Sequence, residues 1–369
     1  MNSRLLGKAM QTERQLYIDV LKSMAILFMV EVHTSAQLAP SNIPRDSVLA
    51  LIVASIGGLA APLFVTLSGW SMQHSLIQKK KKGGDYLLIS YWLITRFSFL
   101  FVCQFVVNLI ANHVFNWNSP GILTLLAICT LIGIPLSKIK IKSKLLLFLL
   151  LCITPLCNNF FFEMRGDWEF LINVNSPIDF FERILINGTY PLFPWAAFFV
   201  LGSILRDSNT HLNKKMLFCG LMLSSSFIFY SIIFEEVWAL TQGNALLTFF
   251  PASIGFIITA NSAVLILFML FKKFNSKFES SVTAHGFAKI GKLTLTIYLL
   301  HFIPLRIFND LSLGELNLST AFGITILFTL CWWPFSTIHE KWFKKYSLES
   351  LLRYILAKKN IQPTIVRDS

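Results

Sequence analysis

The chain has 369 residues, of which 54% are hydrophobic, 35 are Phe and only 14% are charged. A soluble globular domain carries about 25% charged residues, so an ordinary soluble fold is excluded and a protein crossing a bilayer many times is expected. The net charge of +13 does not call for nucleic acid, because Lys and Arg gather in short loops between apolar runs, where they set membrane topology.

In chain order, residues 1–15 are polar and lead straight into an apolar stretch that contains charges. A cleavable signal peptide is not written this way, so the first span is expected to be retained. Apolar runs predict about ten transmembrane helices, near 16–37, 49–72, 86–112, 120–137, 144–162, 189–205, 216–234, 245–271, 288–309 and 317–337. Their length favours helices over a barrel, which would show alternating segments of about ten residues. The loops alternate in charge. Basic ones hold Arg4, Lys8 and Arg14; Lys79–Lys82; the ladder Lys138, Lys140, Lys142 and Lys144; Arg206, Lys214 and Lys215; 272–289; and the tail from Lys341. Those at 38–48, 113–119, 163–188, 235–244 and 310–316 are poor in Lys and Arg, so both termini are placed in the cytoplasm. The expectation is an all-α, polytopic integral membrane protein with one membrane domain over 16–337 and a basic tail over 338–369.

Three stretches depart from plain spans. Asp85–Arg96 reads as an interfacial start to the third span, with Arg96 snorkelling or binding an anion. The loop 163–188 carries Arg165, Asp167, Glu169, Asp179, Glu182 and Arg183, an exposed acidic surface, and its IDFFERIL reads as an interfacial helix. The tail HEKWFKKYSLESLLRYILAKK alternates basic and apolar residues at helical spacing and is expected on the anionic inner membrane surface. The six cysteines show no CxxC pair, which argues for free thiols and no metal site.

The first span, RQLYIDVLKSMAILFMVEVHTSAQ (14–37), carries Asp19, Lys22, Glu31 and His33 inside an apolar helix. Ionisable groups at such depth are costly and usually functional. At about 100° per residue, Lys22 and His33 lie within roughly 20° of each other and Asp19 about 40° from His33, with Lys22 and His33 about 16 Å apart along the axis. Ser23 and Thr34 fall on the same side and Glu31 points elsewhere, so the stripe faces a protein interior or a wet cavity. His33 is the leading candidate for chemistry, since imidazole is the usual general base near neutral pH. A lone histidine in a span is more often a hydrogen-bonded packing residue, but three ionisable groups on one side are hard to explain as packing.

Asp19, Lys22 and His33 in IDVLKSMAILFMVEVH resemble the opening D-x-x-R-G…H pattern of membrane acyltransferases, the acyltransferase type 3 family and the homologues of heparan-α-glucosaminide N-acetyltransferase. APLFVTLSGWSM (61–72), TYPLFPWAAFFVLGSIL (189–205) and KIGKLTLTIYLLHF (289–302) are similar to later segments of that family, in the expected order. Lys22-Ser23 stands where the family has Arg-Gly, which keeps the charge but loses the planar bidentate fork. The resemblance implies transfer of an acyl group, usually acetyl, from cytoplasmic acetyl-CoA to a hydroxyl or amine of a saccharide across the membrane, without a metal. It further implies His33 as general base or transient acyl carrier, with Asp19 orienting Lys22. Lys22, Arg14 and Arg96 would bind the polyanionic donor, and Trp195, Ser68 and His301 would line the acceptor side.

Each of these residues also has a plainer reading. Asp19 suits a helix N-terminus, Ser68 suits close packing, Trp195 suits an interfacial anchor, and His301 suits a helix-to-helix hydrogen bond. The expected partners are a glycan acceptor and the lipids of a cell membrane, with a homodimer left open. A proton-coupled transporter using Asp19 and His33 and a non-catalytic relative are the competing classes. No internal repeat of the transporter kind is visible, and no GxSxG, HExxH or phosphate-cradling loop occurs.

Overall fold

In a chain this apolar, backbone polar groups must be satisfied within each segment, and helices are the result. A computed structural model describes residues 15–360 except 41–42, 44–46, 82, 84–85, 244 and 312–315. Arg14 and Asp85 lie outside the described residues.

The helices are α1 Leu16–Leu38, α2 Val48–Lys81, α3 Tyr86–Ile110, α4 Ile122–Lys138, α5 Ile141–Phe161, α6 Trp168–Ile172, α7 Pro177–Leu185, α8 Leu192–Asp207 and α9 Thr210–Phe234. After two short strands, β1 Ala239–Gln242 and β2 Leu247–Phe250, come α10 Ile254–Lys273, α11 Asn275–Glu279 and α12 Val282–Phe287. A 3-10 turn over Ile290–Lys292 leads to α13 Thr294–Leu300, α14 Phe302–Asp310, α15 Leu318–Trp342 and α16 Leu348–Asn360.

Helices occur at each expected position, and the fold is almost wholly helical. Among the described residues six helices are long and apolar enough to cross a membrane, or up to seven when the bent pair 282–292 and 294–310 is taken as one span. Of the remaining expected spans, α1 contains Asp19, Lys22 and Glu31, and α4 and α8, at 17 and 16 residues, are short. The chain is a multi-pass membrane protein.

The centre of the bundle is the crossing of α2 with α8, flanked by α1. It depends on two glycines. A Cβ at Gly69 would overlap the Phe199 carbonyl, and one at Gly202 would overlap the Thr66 carbonyl. Small residues let helix backbones approach this closely where no hydrophobic effect drives helices together in lipid. At the periphery, α9 leaves Phe218, Phe229, Ile232 and Phe234 exposed, as a lipid-facing helix does.

Several expectations are corrected. The eighth span does not begin at 245: β1 and β2 pair in parallel, Leu240 opposite Thr248, and helix resumes only at Ile254. Ser253 Oγ accepts from the backbone N–H of Thr248 and of Phe256, both at 3.1 Å, and donates to Leu246 O at 2.6 Å, which fixes the turn and caps α10. The ninth span is broken by 64° at the 3-10 turn, where Gly291 is pressed against the Asp19 carbonyl of α1. The third span is one continuous helix from Tyr86, with Arg96 inside it. IDFFERIL does form a helix, α7, opened by a capping box between Ser176 and Asp179. Arg183 lies in the last turn of α7. It is buried, with its guanidinium 3.7 Å from the Phe170 ring centre and Nε donating to Phe170 O at 2.9 Å. Helix α15 continues to Trp342. Within the tail, α16 docks on α13 through Glu349.

Replacing Gly202 by Ala puts a methyl group into the Thr66 backbone, and overpacking of this kind costs about 1–3 kcal/mol or more. The thermal midpoint of the detergent-solubilised protein is expected to fall by several degrees. An unchanged midpoint would mean that the α2–α8 crossing does not depend on this contact.

Candidate functional site: a histidine pair joined to a basic helix end

Helix α1 packs its polar side inward. Asp19, Ser23 and Thr34 are buried, and Lys22 and His33 are half-buried. Ser23, which stands where the resemblance expects glycine, ties α1 to the broken ninth segment. Its hydroxyl accepts from Gly291 N at 2.8 Å and is 2.8 Å from Phe287 O and 3.0 Å from Asp19 O, to which it donates. Glu31 is buried beside Gly57 of α2, and neither of its carboxylate oxygens has a hydrogen-bond partner among the described residues.

Further along α1, His33 Nδ1 lies 2.8 Å from His301 Nε2, with the two rings stacked at 5.1 Å between centres. His301 is fully buried, and its Nδ1 lies 3.1 Å from Ile297 O. A carbonyl can only accept, so His301 Nδ1 carries a proton. In the neutral ring, Nε2 is then an acceptor, and His33 Nδ1 must donate to it. The Nε2 of His33 is left with a free lone pair. Two histidines thus form a directed chain, Ile297 O to His301 to His33, with the tautomer of each fixed by the partner behind it. Phe302, 4.9 Å from the His33 ring centre, and Tyr298, at 6.3 Å, wall the pair, and Phe115 closes against Phe302 at 6.2 Å. These rings cover the His301 side of the pair, while His33 is half-buried.

The other end of the stripe is basic. Arg206, at the end of α8, donates from Nε to His74 Nδ1 at 3.1 Å, and His74 stacks on Trp70 at 5.0 Å. Lys22 and Lys81 lie within charge–charge reach of the same His74 ring. Because His74 Nδ1 accepts, Arg206 keeps its charge and its terminal N–H groups are not consumed by this contact. Beside it, Lys144 is buried and bonds Asp207 at 2.6 Å and Ser203 at 2.7 Å, while Gln73 donates to Asp207 at 3.2 Å. Lys144 thereby offsets the charge of Asp207, the neighbour of Arg206.

Residues 14–234 match the family described as heparan-alpha-glucosaminide N-acetyltransferase, catalytic, over more than half of the chain. The chain belongs to this family. Residues 203–359 also match a family described as protein of unknown function, DUF418. No curated protein matches the chain. Membership makes this a membrane protein with an acyltransferase-type catalytic domain. The two matched segments divide the histidine pair between them: His33 falls in the first and His301 in the second.

Of the residues picked from the sequence of this family member, the structure joins His33 to His301 and brings Lys22 to a basic cluster that includes Arg206 and His74. Arg96 is elsewhere. Its guanidinium sits 5.9 Å from the Trp92 ring centre, and Lys79 approaches the same ring at 5.1 Å. Trp195 is fully buried among Tyr190, Phe198, Phe249 and Phe256, so it has no face for a sugar and is no interfacial anchor. The hydroxyl of Ser68 is spent on Phe64 O at 2.9 Å, the packing reading of that residue. Sequence reasoning missed His74, Arg206 and the Lys144–Asp207 pair. A signal existed in the spacing of Trp70 and His74, one helical turn apart on the span that carries the family-like GWSM segment.

The directed chain makes a spectroscopic prediction. Nitrogen-15 NMR of histidine-labelled protein is expected to show both imidazoles of the pair protonated at Nδ1 and bare at Nε2. A proton on Nε2 of neutral His33 would contradict the chain.

Proposed function

We propose that the protein transfers an acyl group, most simply acetyl, from acetyl-CoA to a hydroxyl or amine of a saccharide, with donor and acceptor on opposite faces of the membrane. The single observation that carries this reading is the 2.8 Å contact that leaves His33 Nε2 unprotonated inside a walled site. Such a nitrogen can take the proton of an attacking hydroxyl or amine as that atom bonds to the thioester carbonyl, and return it to the departing thiolate when the carbon–sulfur bond breaks. His301 stabilises the imidazolium that forms, as an acceptor held in place by Ile297. The same lone pair could carry the acyl group itself.

The donor is a polyanion, and the Lys22–Arg206–His74 end of the stripe is chemically suited to its phosphates. Arg206 supplies the planar fork that Lys22 lacks. The distance from Lys22 to His33, about 16 Å along α1, suits an extended thioester arm. The alternation of basic and non-basic loops supports a cytoplasmic placing of the Lys22 end and of both termini. Arg14, outside the described residues, stays a candidate at that end, and Asp19 a candidate for orienting Lys22. About ten membrane-crossing segments would follow if α1, α4 and α8 also cross.

The test is labelled acetyl-CoA supplied to membrane vesicles carrying wild type, His33→Ala or Arg206→Met. Label should reach saccharide with wild type and drop at least a hundredfold with His33→Ala. Arg206→Met should raise KM for acetyl-CoA about tenfold while kcat changes little. Label transfer undiminished in His33→Ala would reject the reading.

A further inference from the structure

The broken ninth segment is held to α1 at two places, by Ser23 on Gly291 and by His33 on His301. Between them stands the first turn of α13, whose amides begin a new helix after the 64° bend and cannot be satisfied by the helix before it. The tail supplies what they lack. Glu349, near the start of α16, accepts through Oε1 from Leu295 N at 2.7 Å and from Thr296 N at 3.2 Å. Its Oε2 accepts from the Thr296 hydroxyl at 2.6 Å, and Thr296 Oγ1 in turn accepts from Leu348 N at 3.0 Å. One carboxylate therefore fixes both the axial position and the rotation of a helix of only seven residues.

That helix carries Tyr298 on the wall of the site and Ile297, whose carbonyl sets the His301 tautomer, and it ends on His301 itself. A displacement of its first turn is passed to His301 within two turns, about 10 Å away along the axis. A hydrogen bond between two imidazoles tolerates little movement, and misplacement by about 1 Å can cost about a hundredfold in rate.

We propose that Glu349 is a positioning residue for the histidine pair: from the tail helix it clamps the first turn of α13 so that His301 meets His33 in register. The consequence for turnover rests on the acyl-transfer reading above, while the clamp itself does not. It makes the tail part of the catalytic unit, so that tail docking and site geometry rise and fall together.

The experiment compares full-length wild type, Glu349→Ala and Glu349→Gln in nanodiscs, by hydrogen exchange, by diethylpyrocarbonate labelling mapped to each histidine, and by acetyl transfer. In Glu349→Ala, exchange at the amides of residues 295 and 296 should rise at least tenfold. The buried His301 should become labelled, and kcat should fall about tenfold or more with KM for acetyl-CoA unchanged. Glu349→Gln, which keeps one carbonyl oxygen for the two amides, should recover most of the protection and rate. The proposal is overturned if Glu349→Ala leaves exchange and His301 protection at wild-type levels. It is also overturned if α1 loosens to the same extent as α13, the mark of general destabilisation. Should wild type itself transfer no acetyl group, the acyl-transfer reading fails alone, and exchange with labelling still decides whether Glu349 holds His301 in place.

Discussion

The contact between His33 and His301 joins positions 268 residues apart and ties the first helix to the broken ninth segment. Much else in the structure serves it. Ser23 docks the 3-10 turn on α1, Gly291 is small enough to allow that approach, and the break after it re-aims α13 so that Ile297 and His301 face His33. In a low-dielectric bundle an imidazole without a partner would be expensive. Two imidazoles satisfying each other in a fixed direction lower that cost and leave one nitrogen for chemistry.

The site is polar at one end and basic at the other, and the two ends are built differently. The histidine end is assembled from distant parts of the chain against aromatic walls, where geometry matters more than charge. The basic end gathers Lys22 and Arg206 around His74, next to the Lys144–Asp207 pair. With Lys144 buried but Asp207 open to the surroundings, an ion pair of this kind is weak evidence for stability. Its effect here is electrostatic: Asp207 adjoins Arg206 and would otherwise offset it.

The sequence made the helices legible because runs of apolar residues in a membrane protein leave the backbone no other solution. It also made the Lys22–His33 side of α1 legible, since helical periodicity alone decides which residues share a face. Tertiary pairing was not legible. Nothing local in KLTLTIYLLHF says that His301 should meet His33, and the plain reading of a helix-to-helix hydrogen bond was right in kind while its partner stayed hidden. Trp195 misled because a tryptophan after proline near a span end looks like an anchor, whereas two of the rings that surround it, Phe249 and Phe256, come from a stretch that itself read as helix. Lys144 read as one more topology charge in a basic loop; only the fold brings Asp207 and Ser203 to it. The tail read as amphipathic, which is a property of its surface, but no pattern marks Glu349 as the carboxylate that caps α13.

The central claim is that the two histidines work as one unit, and a double-mutant cycle on acetyl transfer measures this directly. His33→Ala and His301→Ala are each expected to lower kcat, and the double variant should be no slower than His33→Ala alone, because His301 acts only through His33. If the two losses instead multiply, the histidines contribute independently, and the directed chain is not what makes His33 reactive.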